Sequence, residues 1–178
     1  PGASLSLLFL LKEQWPSTVS TTFIHPNPLP HPIPFYASQI LTELDAQGVT
    51  HKPNHLLKKI TSNTAVYEDQ VTGKELSMDY DWMHVMPSQQ GPSNLRKSGL
   101  VDNRGFVMVD KGSLKSRIKD NVWAIGDCCD APTSKTMSGA IEQSQILTTN
   151  LLHAMSLSQQ PSATYDGYTG CPVLVGGK

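Results

Sequence analysis

Residues 122–136, VWAIGDCCDAPTSKT, restrict this chain more than any other stretch. An apolar run stops at Gly126-Asp127, passes two adjacent cysteines, and re-emerges at Ser134-Lys135-Thr136 ahead of a helical pattern. A strand that ends in Gly-Asp and gives way to a loop and a helix puts one carboxylate at the carboxyl edge of a sheet, where open α/β folds bind ligands. That carboxylate can accept hydrogen bonds from sugar-like hydroxyls. The helix start near residues 134–136 aims free backbone N–H groups and a positive dipole end at the same place, which suits an anion or an electron-rich ring. Lys135 adds a full positive charge. Together these residues describe a site for a polyhydroxyl, partly anionic cofactor. The plainer alternative, a strand-to-helix turn with Asp127 as a local cap, stays open at this point.

The rest of the chain limits what can surround that turn. Its 178 residues suffice for one domain or for parts of two. A net charge of −1 supplies no field that would recruit nucleic acid or anionic lipid. The most apolar run, LSLLFLL at residues 5–11, is far shorter than the roughly 20 residues that span a bilayer. It has neither the basic flank nor the cleavage site of a signal peptide, so it reads as a buried helix. The chain starts without Met and is read as a fragment.

Residues 17–25, rich in β-branched side chains, read as a strand. Prolines at 26, 28, 30, 32 and 34 then fix an extended surface loop, with His25 and His31 as solvated loop histidines rather than metal ligands. Residues 35–48 read as a helix ending at a glycine cap, with Tyr36, Ile40, Leu41 and Leu44 on its apolar face. Residues 49–61 are expected to be extended. NTAVYED and KELSMDYDWMHVMP flank a hairpin-like turn at residues 70–73. GFVMVD and NVWAIGD read as two further strands, and residues 134–155 as the last helix, with Ile141, Ile146, Leu147 and Leu151 as its apolar side. The order of elements is that of an α/β or α+β chain.

Three cysteines make no disulfide framework and have no histidines at zinc spacing, so no metal is expected. Cys128 and Cys129, adjacent in sequence, read as packing or loop residues. Cys171, between Gly170 and Pro172, belongs on a turn. There it is either an exposed thiol open to a partner or a buried, inert one.

NVWAIGDCCDAPTSKT, AIEQSQIL and YDGYTGCPVLVGG together resemble the mitochondrial-type sulfide:quinone oxidoreductases, flavoproteins of the disulfide-reductase superfamily. The segments GVTHKPNHLLKKIT and DYDWMHVMPSQQGPSNLRKSGLVDNRGFVMVD are similar to the approach to that family's GD turn. The resemblance implies an α/β fold, a partial two-Rossmann-like-domain flavoprotein of the FAD/NAD(P)-binding type. Residues 1–88 would be part of the second, pyridine-nucleotide-like domain. Residues 89–178 would be the returning segment of the FAD domain with a redox-cysteine tail.

The resemblance further implies that FAD is held with Gly126 and Asp127 at its ribityl chain and Lys135 and Thr136 near its pyrimidine edge, where positive charge favours an electron-rich ring. Cys171 matches the second of the family's two redox cysteines. The family oxidises hydrogen sulfide to a persulfide, passes the sulfur to a small thiol, sulfite or cyanide, and passes two electrons through FAD to ubiquinone at the matrix face of the mitochondrial inner membrane. The chain lacks the glycine-rich G-x-G-x-x-G turn that holds the pyrophosphate, and the first redox cysteine is expected just ahead of Pro1. It is therefore expected to be a carboxyl-terminal part that is inactive alone, lacking also the family's membrane-seated end. Two alternatives remain at this stage. One is another FAD-dependent NADH dehydrogenase or disulfide reductase, which would keep Asp127 and make no use of Cys171. The other is a truncated, non-catalytic relative acting as a binding module.

Overall fold

Leu5 and Phe9, one helical turn apart, are both fully buried, and they define the inward side of the first helix. The computed structural model describes residues 2–15, 18–160 and 162–176. Helix α1 spans Gly2–Gln14; Leu10, on its outer side, is 40 % exposed. A short strand β1, Thr22–Ile24, leads through the proline loop to helix α2, Pro34–Ala46. Pro34 opens that helix, where its missing N–H costs nothing. The helix closes in a Schellman motif: Val49 N–H donates to Leu44 O (2.9 Å) and Gly48 N–H to Asp45 O (2.9 Å), with Gly48 left-handed at φ +63°. Strand β2, Thr50–Lys52, then pairs in parallel with β1, giving one β-α-β unit.

Leu5, Phe9, Ile40, Leu44 and Val49 form one core, flanked by Leu8, Phe23, Leu41 and Val173. Ala37, Ile40 and Leu44 are the buried face of α2; Tyr36, expected on that face, is 51 % exposed. The sequence reading extended β1 over residues 17–25; within the described residues it covers three, because the proline loop ends the ladder at once. Strands β3 (His55–Ile60), β4 (Thr64–Asp69) and β5 (Glu75–Asp79) form an antiparallel sheet with a bulge between Leu57 and Lys59. The β4–β5 turn falls at the expected residues, where the Asp69 carboxylate accepts from Val71 N–H (2.8 Å).

The chain divides into two compact units, residues 2–86 with 172–176, and residues 87–171. The tail joins the first unit because Val173 packs on its core, Leu174 N–H donates to Ser6 Oγ (2.9 Å) and Gln47 Nε2 donates to Val175 O (3.0 Å). The sequence reading had assigned these tail residues, within 89–178, to the second segment.

In the second unit Val107, Val109, Ala124, Cys129 and Ala131 make the core. The two expected strands, GFVMVD and NVWAIGD, are only isolated bridges: Val107 with Val101 and Cys129, Val109 with Ser116, and Lys115 with Trp123. Left-handed residues at Gly105 (φ +89°) and Leu114 (φ +62°) turn the backbone before a ladder can grow. Helix α3 spans Met137–Ala154 and buries Gly139, Gln143 and Asn150 rather than Ile141, which is 54 % exposed. No helix among the described residues is long and apolar enough to cross a membrane.

His25, expected in solvent, is half-buried instead, with its Nε2 2.7 Å from His51 Nε2. Burial, and secondarily the neighbouring ring, lowers its pKa to about 4; burial also lowers that of His51. A histidine kept neutral in the fold binds fewer protons than in the unfolded chain below the unfolded value of about 6.5. Stability is therefore full above pH 6.5 and declines as pH falls towards 4. Discounted for the rings' partial exposure, the loss is about 1–2 kcal/mol. Urea unfolding at pH 7 and pH 4.5 measures it, and His25→Gln is expected to flatten the difference. An unchanged slope in that variant would assign the acid sensitivity to other groups.

Candidate functional site

Gly126 holds φ +63°, and a Cβ there would sit 3.6 Å from Ala140 Cβ, so the turn lies directly on α3. Residues Gly126–Cys128 make a short 3-10 turn. Its first N–H donates to Gln143 Oε1 at 2.7 Å, from a side chain only 3 % exposed. Cys128 Sγ donates to Ile125 O (3.1 Å) and Cys129 Sγ to Gly126 O (3.3 Å), so both thiols brace the turn from below. Burial raises the pKa of Cys129, which keeps it a neutral packing residue. Asp127 follows on the exposed side with no hydrogen-bond partner among the described residues. The local-cap alternative for it is thereby removed.

Thr136 is the N-cap of α3, accepting from Gly139 N–H at 3.1 Å. The same hydroxyl meets Thr169 Oγ1 at 2.9 Å. Ser138 Oγ is bracketed by Gly170, accepting from its N–H (3.0 Å) and donating to its carbonyl (3.1 Å). Thr169 Oγ1 also donates to Ser134 O (3.2 Å). Residues 168–170 are thus laced across the first turn of α3. A Cβ at Gly139 would stand 3.2 Å from Thr136 Oγ1 and 3.4 Å from Thr169 Oγ1, which is why the crossing is so close. Cys171 comes next in the chain, exposed and unpaired. The inert-buried alternative for it does not hold.

Lys135, the positive charge expected near the cofactor's pyrimidine edge, is bound into its own loop. Its ammonium donates to Cys129 O and Ala131 O and lies 5.2 Å over the Phe106 ring, so its charge ties the 129–136 loop together. Three positioning residues were not foreseen. Gln143 holds Gly126. Asn150 donates to Ser113 O (3.2 Å) and Ala163 O (3.0 Å) and accepts from Ala163 N–H (2.8 Å). Asp130 accepts from Val109 N–H (2.8 Å) and pairs with Arg117. For Gln143 and Asn150 the signal in the sequence is faint: polar residues seven apart on an otherwise amphipathic helix. A cleft of about 530 Å³ in the same unit, between Asp110, Pro132 and Asp166, is lined by neither Asp127 nor Cys171.

The donor set decides what this side of the unit can hold. An exposed, uncommitted carboxylate beside a helix start fits the hydroxyl-bearing stretch of a dinucleotide cofactor. A pyrophosphate cradle needs glycines for close backbone approach. The loop between β1 and α2 carries four prolines, at 26, 28, 30 and 32, and no glycine.

The model of the pyridine nucleotide-disulphide oxidoreductase family matches residues 22–145. This chain belongs to that family of FAD-binding oxidoreductases, with its α/β fold. It is 36 % identical over 139 residues, 78 % of its length, to the mitochondrial sulfide:quinone oxidoreductase of Mus musculus, and covers 30 % of that protein. It is 28 % identical over 184 aligned positions to the Schizosaccharomyces pombe protein of the same name, covering 98 % of this chain and 40 % of that one. The chain thus spans about a third of the length of these relatives. Among solved structures, the sulfide:quinone oxidoreductase of Aquifex aeolicus superposes with TM-score 0.72 at 19 % identity, over 88 % of this chain and 40 % of that one.

Proposed function

We propose that this chain is the part of a sulfide:quinone oxidoreductase that carries the ribityl side of the FAD site and one redox cysteine. The observation that supports the reading best is the lacing of residues 168–170 over the first turn of α3. It keeps the exposed Cys171 thiol in the unit that also carries the Gly126-Asp127 turn. FAD, when bound, supplies a two-electron acceptor that relays to ubiquinone. Asp127 would accept hydrogen bonds from the cofactor's hydroxyls, and Thr136 would fix the helix start beside it by capping Gly139 N–H. Lys135 acts at one remove, by fixing the loop between them.

Cys171 is one half of a disulfide in this reading. Hydrosulfide attacks one sulfur of that bond, which breaks to leave a persulfide on one cysteine and a thiolate on the other. The persulfide's outer sulfur then passes to a small thiol or sulfite. The site of action is the matrix side of the mitochondrial inner membrane. An NADH-dependent reductase would have no use for the exposed Cys171 thiol.

Sulfide-dependent reduction of a soluble ubiquinone by a full-length, FAD-loaded enzyme that contains this part tests the proposal, with flavin absorbance read after desalting. Cys171→Ser is expected to keep the flavin and lose turnover by roughly two orders of magnitude or more. Asp127→Ala is expected to lose the flavin itself. Undiminished sulfide oxidation in Cys171→Ser would return the protein to the wider reductase class. A full-length enzyme that holds flavin yet is idle towards sulfide with Cys171 intact would be a binding module.

A further inference from the structure

Strand register brings two histidines, distant in sequence, onto one face of the β1–β2 pair. Phe23 lies opposite His51, and His25 follows two residues after Phe23, so all three rings share that face while Lys52 points to the other. The Phe23 ring stands 5.1 Å from His25 and 6.0 Å from His51, an apolar wall that itself packs on the first unit's core. The two imidazoles are inclined by only 23°, with centroids 5.0 Å apart and Nε2 atoms 2.7 Å apart. The centroid separation exceeds the nitrogen separation by about the two ring radii. The rings therefore lie edge to edge, each Nε2 aimed along the line at the other.

Among the described residues no carboxylate, thiol or third histidine completes this pair. One shared proton holds it, donated from one Nε2 to the other. We propose that His25 and His51 form a two-coordinate site for a soft, monovalent d10 cation, represented by copper(I), which replaces that proton between the two Nε2 atoms. Two neutral nitrogen donors on one line, beside an aromatic wall, match the linear preference and low charge of such an ion. Zinc takes four ligands, and calcium and magnesium take oxygens, so the pair suits neither. Two metal–nitrogen bonds of about 2 Å place the nitrogens about 4 Å apart. The proposal therefore requires the two rings to swing apart from their present 2.7 Å Nε2 separation by side-chain rotation. The displaced proton moves to the Nδ1 of its own ring, so binding releases no net proton.

The test is an anaerobic titration of the 178-residue chain with copper(I), against a chromophoric copper(I) chelator, followed by the imidazole ¹⁵N resonances. Cys171, free and exposed, and Cys128, free and half-buried, take the first equivalents, while Cys129 is buried. The expected result is one further equivalent that shifts the Nε2 signals of His25 and His51 together. In His25→Gln or His51→Gln that equivalent is expected to weaken at least about tenfold while far-UV circular dichroism is unchanged. Copper held only by thiols, with both imidazole signals unmoved, overturns the proposal. So does full affinity in either single variant. The titration of the unsubstituted chain decides the question even if a variant fails to fold.

Discussion

Gly91→Ala is expected to destabilise the second unit by about 3 kcal/mol or more, among the largest effects available to a single methyl group. A Cβ at Gly91 would lie 1.8 Å from the Gly105 carbonyl oxygen and 2.1 Å from its carbon. Both are backbone atoms, so no rotamer change relieves the clash. The crossing is also held by Gly91 N–H donating to Arg104 O at 3.0 Å. Forcing the strands apart would disturb the Asp102 loop, whose carboxylate accepts from Arg104 N–H and Phe106 N–H, both at 2.9 Å. Phe106 carries the Lys135 ammonium on its ring, and Val107 N–H donates to Cys128 O at 2.8 Å. The disturbance thus leads straight to the Gly126-Asp127 turn. Gly99→Ala is the control. Gly99 has φ +72° and nothing within 4 Å, so a methyl there costs only the left-handed strain of about 1 kcal/mol. Urea unfolding of the two variants separates sterics from strain, and a Gly91→Ala protein no weaker than Gly99→Ala would refute the crossing argument.

What could be read from the sequence was whatever local chemistry dictates. The Gly126 turn, the glycine that ends α2 and the Gly73 hairpin each need a left-handed residue at one position, and glycine marks it. The Thr136 cap announces a helix for the same local reason. What escaped depends on partners far along the chain. Apolar periodicity on α3 chose Ile141, whereas burial follows Gln143 and Asn150, because the backbone at Gly126, Ser113 and Ala163 needs partners inside. His25 looked like a loop residue because its partner, His51, is set by strand register and not by spacing. Lys135 looked like a cofactor charge because nothing local reveals that two carbonyls and Phe106 take its ammonium. The same limit explains the strands that became bridges: alternation supplies candidates, but a ladder needs neighbours in a continuous register.

Gln143→Leu carries this reasoning to the candidate site. Leucine keeps the bulk and helix preference of glutamine, so helix α3 should survive. What is lost is the Oε1 acceptor that takes the Gly126 N–H at 2.7 Å from a side chain 3 % exposed. A donor left without a partner there costs about 1–3 kcal/mol. It also loosens a turn at φ +63°, leaving the Cys129 Sγ donation to Gly126 O as its remaining side-chain tether at Gly126. The expected destabilisation is about 2 kcal/mol. Gln145→Leu, on the exposed side of the same helix, is expected to stay within about 0.5 kcal/mol of the parent. If Asp127 holds the cofactor hydroxyls, its carboxylate moves with the loosened turn, and flavin affinity should fall about tenfold, equivalent to about 1.4 kcal/mol. The two measurements are separable. Lost stability with flavin affinity intact would mean that Gln143 supports the fold and Asp127 is not a cofactor contact. Stability equal to the parent would mean that water replaces the glutamine and the turn is held by its cysteines, Cys128 and Cys129, whose thiols donate to Ile125 O and Gly126 O.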